Sequence, residues 1–155
     1  MKVAIPAWAG KVSTVFDFAH SLLLVEVRSG KEVSRSEIVL DQYPSMLRAV
    51  ILSRFDVEVL ICGAISRPLA GIVTRSGIEI IPFVTGRIDD VLDAFLNARL
   101  ADSRLLLPGC PAGATKLRRR QRRFRRGQRG ADRGSGRSYH EPNSAAERKR
   151  FFERY

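Results

Sequence analysis

The second half of the chain alternates between two kinds of apolar pattern, and this limits the fold more than any other feature. Val57 to Cys62 is a short, nearly continuous apolar run broken by Gly63, and Ile78 to Val84 is another. Each is followed by apolar residues at helical spacing. The first helix is Leu69, Ile72 and Val73 behind a capping Ser66, stopping near Ser76-Gly77. The second is Ile88, Val91, Leu92, Phe95 and Leu96 behind Thr85-Gly86, with Asp89 and Asp90 in its first turn. Strand-helix repeats of this kind place their strands parallel, because each helix must return the chain across a sheet face.

The first half opens differently. Lys2 to Ala7 reads as a buried strand, and a loop from Ala9 to Thr14 carries the chain to Phe16 and Asp17. Leu22 to Arg28 is a second strand, Ser29-Gly30 a hairpin turn, and Glu32 to Leu40 a more polar edge strand. Pro44 opens a helix whose apolar stripe is Met46, Leu47, Val50, Ile51 and Phe55. The order β-β-β-α-β-α-β-α predicts one α/β domain with a mixed sheet and helices on both faces. Leu105, Leu106 and Leu107 are expected to pack back on it as a short extension.

Charge divides the chain at residue 110. The net charge is +11, yet residues 1–110 hold 12 basic and 12 acidic side chains, whereas residues 111–155 hold 15 and 4. The arginine block Leu117–Arg126 and the Gly/Arg/Ser-rich stretch behind it cannot bury enough apolar area to offset their ordering entropy. We therefore divide the chain into a domain at 1–110 and a disordered basic tail at 111–155. No apolar run approaches the roughly 20 residues that cross a bilayer. The N-terminus lacks the pattern of a secretory signal. Two cysteines, Cys62 and Cys110, make no disulfide framework and read as free thiols of a cytoplasmic protein.

In an open α/β sheet, ligands bind beyond the carboxyl ends of the parallel strands. Three loops should meet there: Ala7–Asp17, Cys62–Pro68 and Thr85–Arg87. They bring Lys11, a thiol at Cys62, Ser66 and Arg67, and Arg87, and two of them lead into helix N-termini. That chemistry points to an anionic, thiophilic ligand; the competing reading is ordinary turn and capping residues. His20 reads as structural and ranks below Cys62 as a ligand, and His140 lies in the tail. Asp17 is a lone loop carboxylate, while Asp89, Asp90 and Asp93 fit a solvated helix face. Hydrolase, P-loop and zinc-protease motifs are absent, so a binding domain is expected rather than an enzyme.

Several blocks together resemble the dinitrogenase iron-molybdenum cofactor biosynthesis domain, the NifX-like group also found at the C-terminus of NifB proteins. They are Met1–Pro6, Val12-Ser13, Val15–Ala19, Leu60–Leu69, Gly77–Pro82 and Leu107–Cys110 ahead of an arginine run. The resemblance implies a ribonuclease H-like three-layer α/β/α fold with a five-stranded mixed sheet. It also implies binding of an iron–molybdenum or other metal–sulfur cluster without catalysis, alongside cofactor-assembly proteins. In that reading Cys62 and Cys110 are the metal ligands, Lys11, Arg67 and Arg87 neutralise the anion, and Gly63 and Ser66 shape the loop. Where many members have His-Phe-Gly, this chain has Val15-Phe16-Asp17. An alternative function is binding of nucleic acid or an acidic protein by the arginine-rich tail. A nuclease reading is set aside, because the strand ends lack the paired carboxylates that hold two metal ions.

Overall fold

The computed structural model describes residues 1–100 and 103–109. The basic segment 111–155, the expectation of disorder there, and Cys110 lie outside the described residues. Six strands and three helices follow in order: β1 (Lys2–Trp8), β2 (Lys11–Val12), β3 (Ser21–Arg28), β4 (Lys31–Val39), α1 (Ser45–Arg54), β5 (Val59–Ile61), α2 (Arg67–Arg75), β6 (Glu79–Ile81) and α3 (Ile88–Leu96). The expected element order is all present, with the two-residue β2 added inside the first loop.

The sheet runs β4-β3-β1-β5-β6, with β2 paired to the end of β1. β1 lies antiparallel to β3 and parallel to β5, which is parallel to β6. Strict side-chain alternation feeds two cores. Val3, Ile5, Val25, Val59 and Ile61 face α3 and its Val91, Leu92 and Phe95. Ala4, Leu22, Leu24, Leu60 and Cys62 face α1 and α2 through Ala49, Leu52, Leu69 and Val73. Burial on both faces is why these strands read as unbroken apolar runs. Two hairpin turns use consecutive positive φ angles, Ala9-Gly10 at +49° and +76° and Ser29-Gly30 at +50° and +73°. That is the turn geometry matching the twist of paired strands.

Three local expectations need correction. The last strand spans only Glu79–Ile81; Phe83 turns to φ +64°, and Val84 instead bridges Leu106, so the extension does pack back. α1 forms where expected but is rotated. Arg48, Ala49, Ile51 and Leu52 are buried, whereas Met46, Leu47 and Val50 are exposed. The rotation is set by Arg48, whose Nη1 donates to the Phe16 carbonyl at 2.6 Å inside the core. Ser66 is the N-cap of α2, but its hydroxyl makes no cap bond; the Ser66 amide donates to the Asp17 carboxylate at 2.9 Å instead.

Among the described residues, no helix is long and apolar enough to cross a membrane.

Candidate functional site

At the carboxyl end of β1 an open groove of about 1330 Å³ lies between the β1–β2 hairpin and the start of α3. Its position follows from pairing. β2 pairs with β1 through Ala7–Val12 and Trp8–Lys11, and Lys11 in turn bridges Arg87 in antiparallel fashion. The Val12 amide donates to the Gly86 carbonyl and the Ile88 amide to the Gly10 carbonyl, which stitches the hairpin to the head of α3. On the other side of β1, one residue beyond the Ala7–Ser21 pair, Trp8 meets His20, with ring centroids 4.4 Å apart. Directly opposed residues on paired strands share a face. The result is a cross-strand row of His20, Trp8, Lys11 and Arg87, all lining the groove.

Lys11 and Arg87 sit opposite each other, and like charges so placed repel. Among the described residues neither makes an ion pair. Two carboxylates line the groove as well: Asp93 pairs with Arg99 at 2.8 Å, and Asp90 makes no ion pair with Lys11 or Arg87. The groove thus brings two cations that make no ion pair beside two aromatic side chains, Trp8 and Phe18, both exposed.

The remaining sequence-derived site residues fall elsewhere. Cys62 is fully buried among apolar neighbours on the α1/α2 side. Burial, and secondarily the negative charge of Asp17, push its thiol up to about 12. The side chain is thus a protonated core group in this conformation and is not among the residues lining the groove. Gly63 is buried beneath the 13–14 backbone: a Cβ there would lie 2.7 Å from the Ser13 carbonyl oxygen, and nearer still to that of Thr14. Close backbone approach is what requires glycine at this position. Ser66 and Arg67 are exposed at the head of α2, off the groove lining. The anion attraction of that helix end is already answered by Asp17. Burial lowers the pKa of Arg48, an effect countered by the charges of Asp17 and Asp41.

The structure brings Lys11 and Arg87, both singled out from the sequence, to one groove, and sets beside them Trp8 and Phe18, which were not singled out. His20, ranked low, lines the groove, and its Nδ1 lies 2.7 Å from the Asp41 carboxylate. The signal for Trp8 was present: a large aromatic ending an apolar strand, next to a Gly turn. Nothing local linked position 20 to 41. Among the described residues there is no group of three or more His, Cys, Asp or Glu side chains placed to hold a metal ion.

A family model described as dinitrogenase iron-molybdenum cofactor matches residues 1–98. The chain belongs to that family. Solved structures agree on the fold. The crystal structure of PH0822 superposes with a TM-score of 0.64 at 20% identity, covering 72% of this chain and 98% of that one. A Methanocaldococcus jannaschii protein provisionally named a dinitrogenase gives 0.55 at 24% identity, covering 64% and 90%. A Thermotoga protein provisionally named NifB gives 0.50 at 23%, covering 63% and 89%. Among curated proteins none matches.

Proposed function

We propose that this member of the family is a non-catalytic cytoplasmic binding protein that holds an anionic metal–sulfur cluster, of iron–molybdenum or related type, during cofactor assembly. The observation that carries the reading is the Lys11–Arg87 pair: two cations directly opposed in a groove, neither of them in an ion pair among the described residues. An arrangement that repels itself when empty gains most from a dianionic or polyanionic occupant. The family membership supports an iron–molybdenum or related cluster as that occupant. The strand order β4-β3-β1-β5-β6, with β3 alone running against the rest, supports the ribonuclease H-like description.

In this reading Lys11 and Arg87 neutralise the cargo, and Gly63 holds the 13–16 segment that forms one wall. Ser66 and Arg67 serve the head of α2. Cys62 reaches a metal only if the end of β5 opens, and Cys110 lies beyond the described residues.

The test is anaerobic reconstitution of the full chain with ferrous iron, sulfide and molybdate, followed by desalting and metal analysis. Wild type is expected to keep a metal–sulfide chromophore. The double variant K11A/R87A is expected to bind about tenfold more weakly or worse, and with less dependence on salt. Failure of the wild type to retain metal, or equal retention by the double variant, overturns the proposal.

A further inference from the structure

We infer that His20 is the nitrogen donor by which this chain grips a metal of its groove-bound cargo, with Asp41 as its positioning residue. The inference rests on the cluster-binding reading above and deepens it.

Three independent contacts set up the ring. The start of β3 and the end of β4 are held together where the Leu40 amide donates to the His20 carbonyl at 2.7 Å, which brings Asp41 alongside the imidazole. Nδ1 of His20 lies 2.7 Å from Oδ1 of Asp41. An ionised carboxylate only accepts, so the proton of a neutral ring sits on Nδ1 and the lone pair is left on Nε2. Trp8 then stacks on the ring at 4.4 Å with a 38° tilt, which restricts its rotation. A carboxylate-oriented imidazole with a free Nε2 is the arrangement proteins use to fix and strengthen a metal-binding nitrogen. Neutral imidazole suits iron and related transition metals.

A core-packing role does not account for these contacts, since the His20 and Asp41 side chains are 54% and 60% exposed. The ring lines the groove in the same row as Lys11 and Arg87. Cations and nitrogen donor therefore address one occupant: the first two by charge, the third by a coordinate bond. On binding, the Nε2 lone pair forms a bond to a cluster metal and displaces a weakly held solvent ligand. The Nδ1 proton stays on the Asp41 hydrogen bond, and no electron is transferred.

The same reconstituted protein, with cluster built from ferrous iron, sulfide and molybdate, provides the test. Wild type, H20A, H20A with free imidazole, and D41A are compared by metal retention and by pulsed EPR for a directly bound ¹⁴N. H20A is expected to lose the nitrogen coupling and about tenfold or more in affinity, and free imidazole to restore both. D41A is expected to lose about tenfold in affinity while keeping the coupling, a combination that loss of fold does not produce. Wild type that retains cluster while H20A shows the same coupling and affinity overturns the His20 assignment and leaves cluster binding standing. Wild type that retains no cluster overturns both.

Discussion

Gly63→Ala tests how tightly the groove wall is built. The added Cβ would lie 2.7 Å from the Ser13 carbonyl oxygen, 2.8 Å from the Thr14 carbonyl carbon, and closer still to the Thr14 oxygen. All three are backbone atoms, so no side chain can swing away. Restoring ordinary contact requires the 13–14 backbone to retreat by about 1 Å. That segment is tied to Ala64 by two 2.8 Å hydrogen bonds, from the Ala64 amide to the Thr14 carbonyl and from the Phe16 amide to the Ala64 carbonyl. A retreat of that size stretches both past useful length. At about 0.5–1.5 kcal/mol each, plus partial withdrawal of the fully buried Phe16, the expected loss is about 2–4 kcal/mol. Urea unfolding of the full chain measures it, with Gly71→Ala as the control. Gly71 lies within α2 and its nearest neighbour is an arginine side chain at 3.7 Å, so alanine there is expected to be neutral or to stabilise by up to ~1 kcal/mol. If Gly63→Ala unfolds at the wild-type urea midpoint, the close-approach reasoning is wrong.

Other outcomes follow from the buried charges and thiol. In the Cys110→Ser background, Cys62 is expected to resist a thiolate-selective reagent at pH 8 until denaturant is added; rapid labelling of the folded protein would contradict its burial. Its raised pKa, about 12 against 9.0 for an ordinary thiol, also has a sign: the contribution is whole below pH 9 and falls as pH rises toward 12, because the unfolded thiol ionises first. Wild type should therefore lose on the order of 1 kcal/mol more than Cys62→Ala between pH 8 and pH 10, measured by paired unfolding curves. Asp17→Ala removes the carboxylate that receives the Ser66 amide and offsets Arg48, at an expected cost of about 1–2 kcal/mol in thermal or urea unfolding. An unchanged melting temperature would show that water replaces it.

The parts of the fold that were legible share one property: their signal is local. β1, β3 and β5 announce themselves because burial on both faces demands continuous apolar residues, and α3 because its inward residues repeat at helical spacing. The phase of α1 was not legible. Met46, Leu47 and Val50 make the better apolar stripe, yet Arg48 turns inward to satisfy the Phe16 carbonyl, a partner 32 residues away. The same limit governs Cys62. A thiol ending a strand beside basic loops looks like a ligand, and only the alternation of β5 beneath α1 and α2 sends it to the core.

The sequence by itself determined the α/β class, the strand and helix order, the concentration of basic charge in 111–155, and the family. Those properties reside in composition, in short periodicities and in blocks of neighbouring residues. Only the tertiary structure decided which side chains share the groove. His20, Trp8, Lys11 and Arg87 come from four separate backbone segments and become one row because β3, β1, β2 and the head of α3 lie side by side. Asp17 likewise answers the head of α2 only after the 13–16 segment has settled on Gly63. Pairing between distant segments is fixed by the packing of the whole sheet, and no window of the sequence contains it.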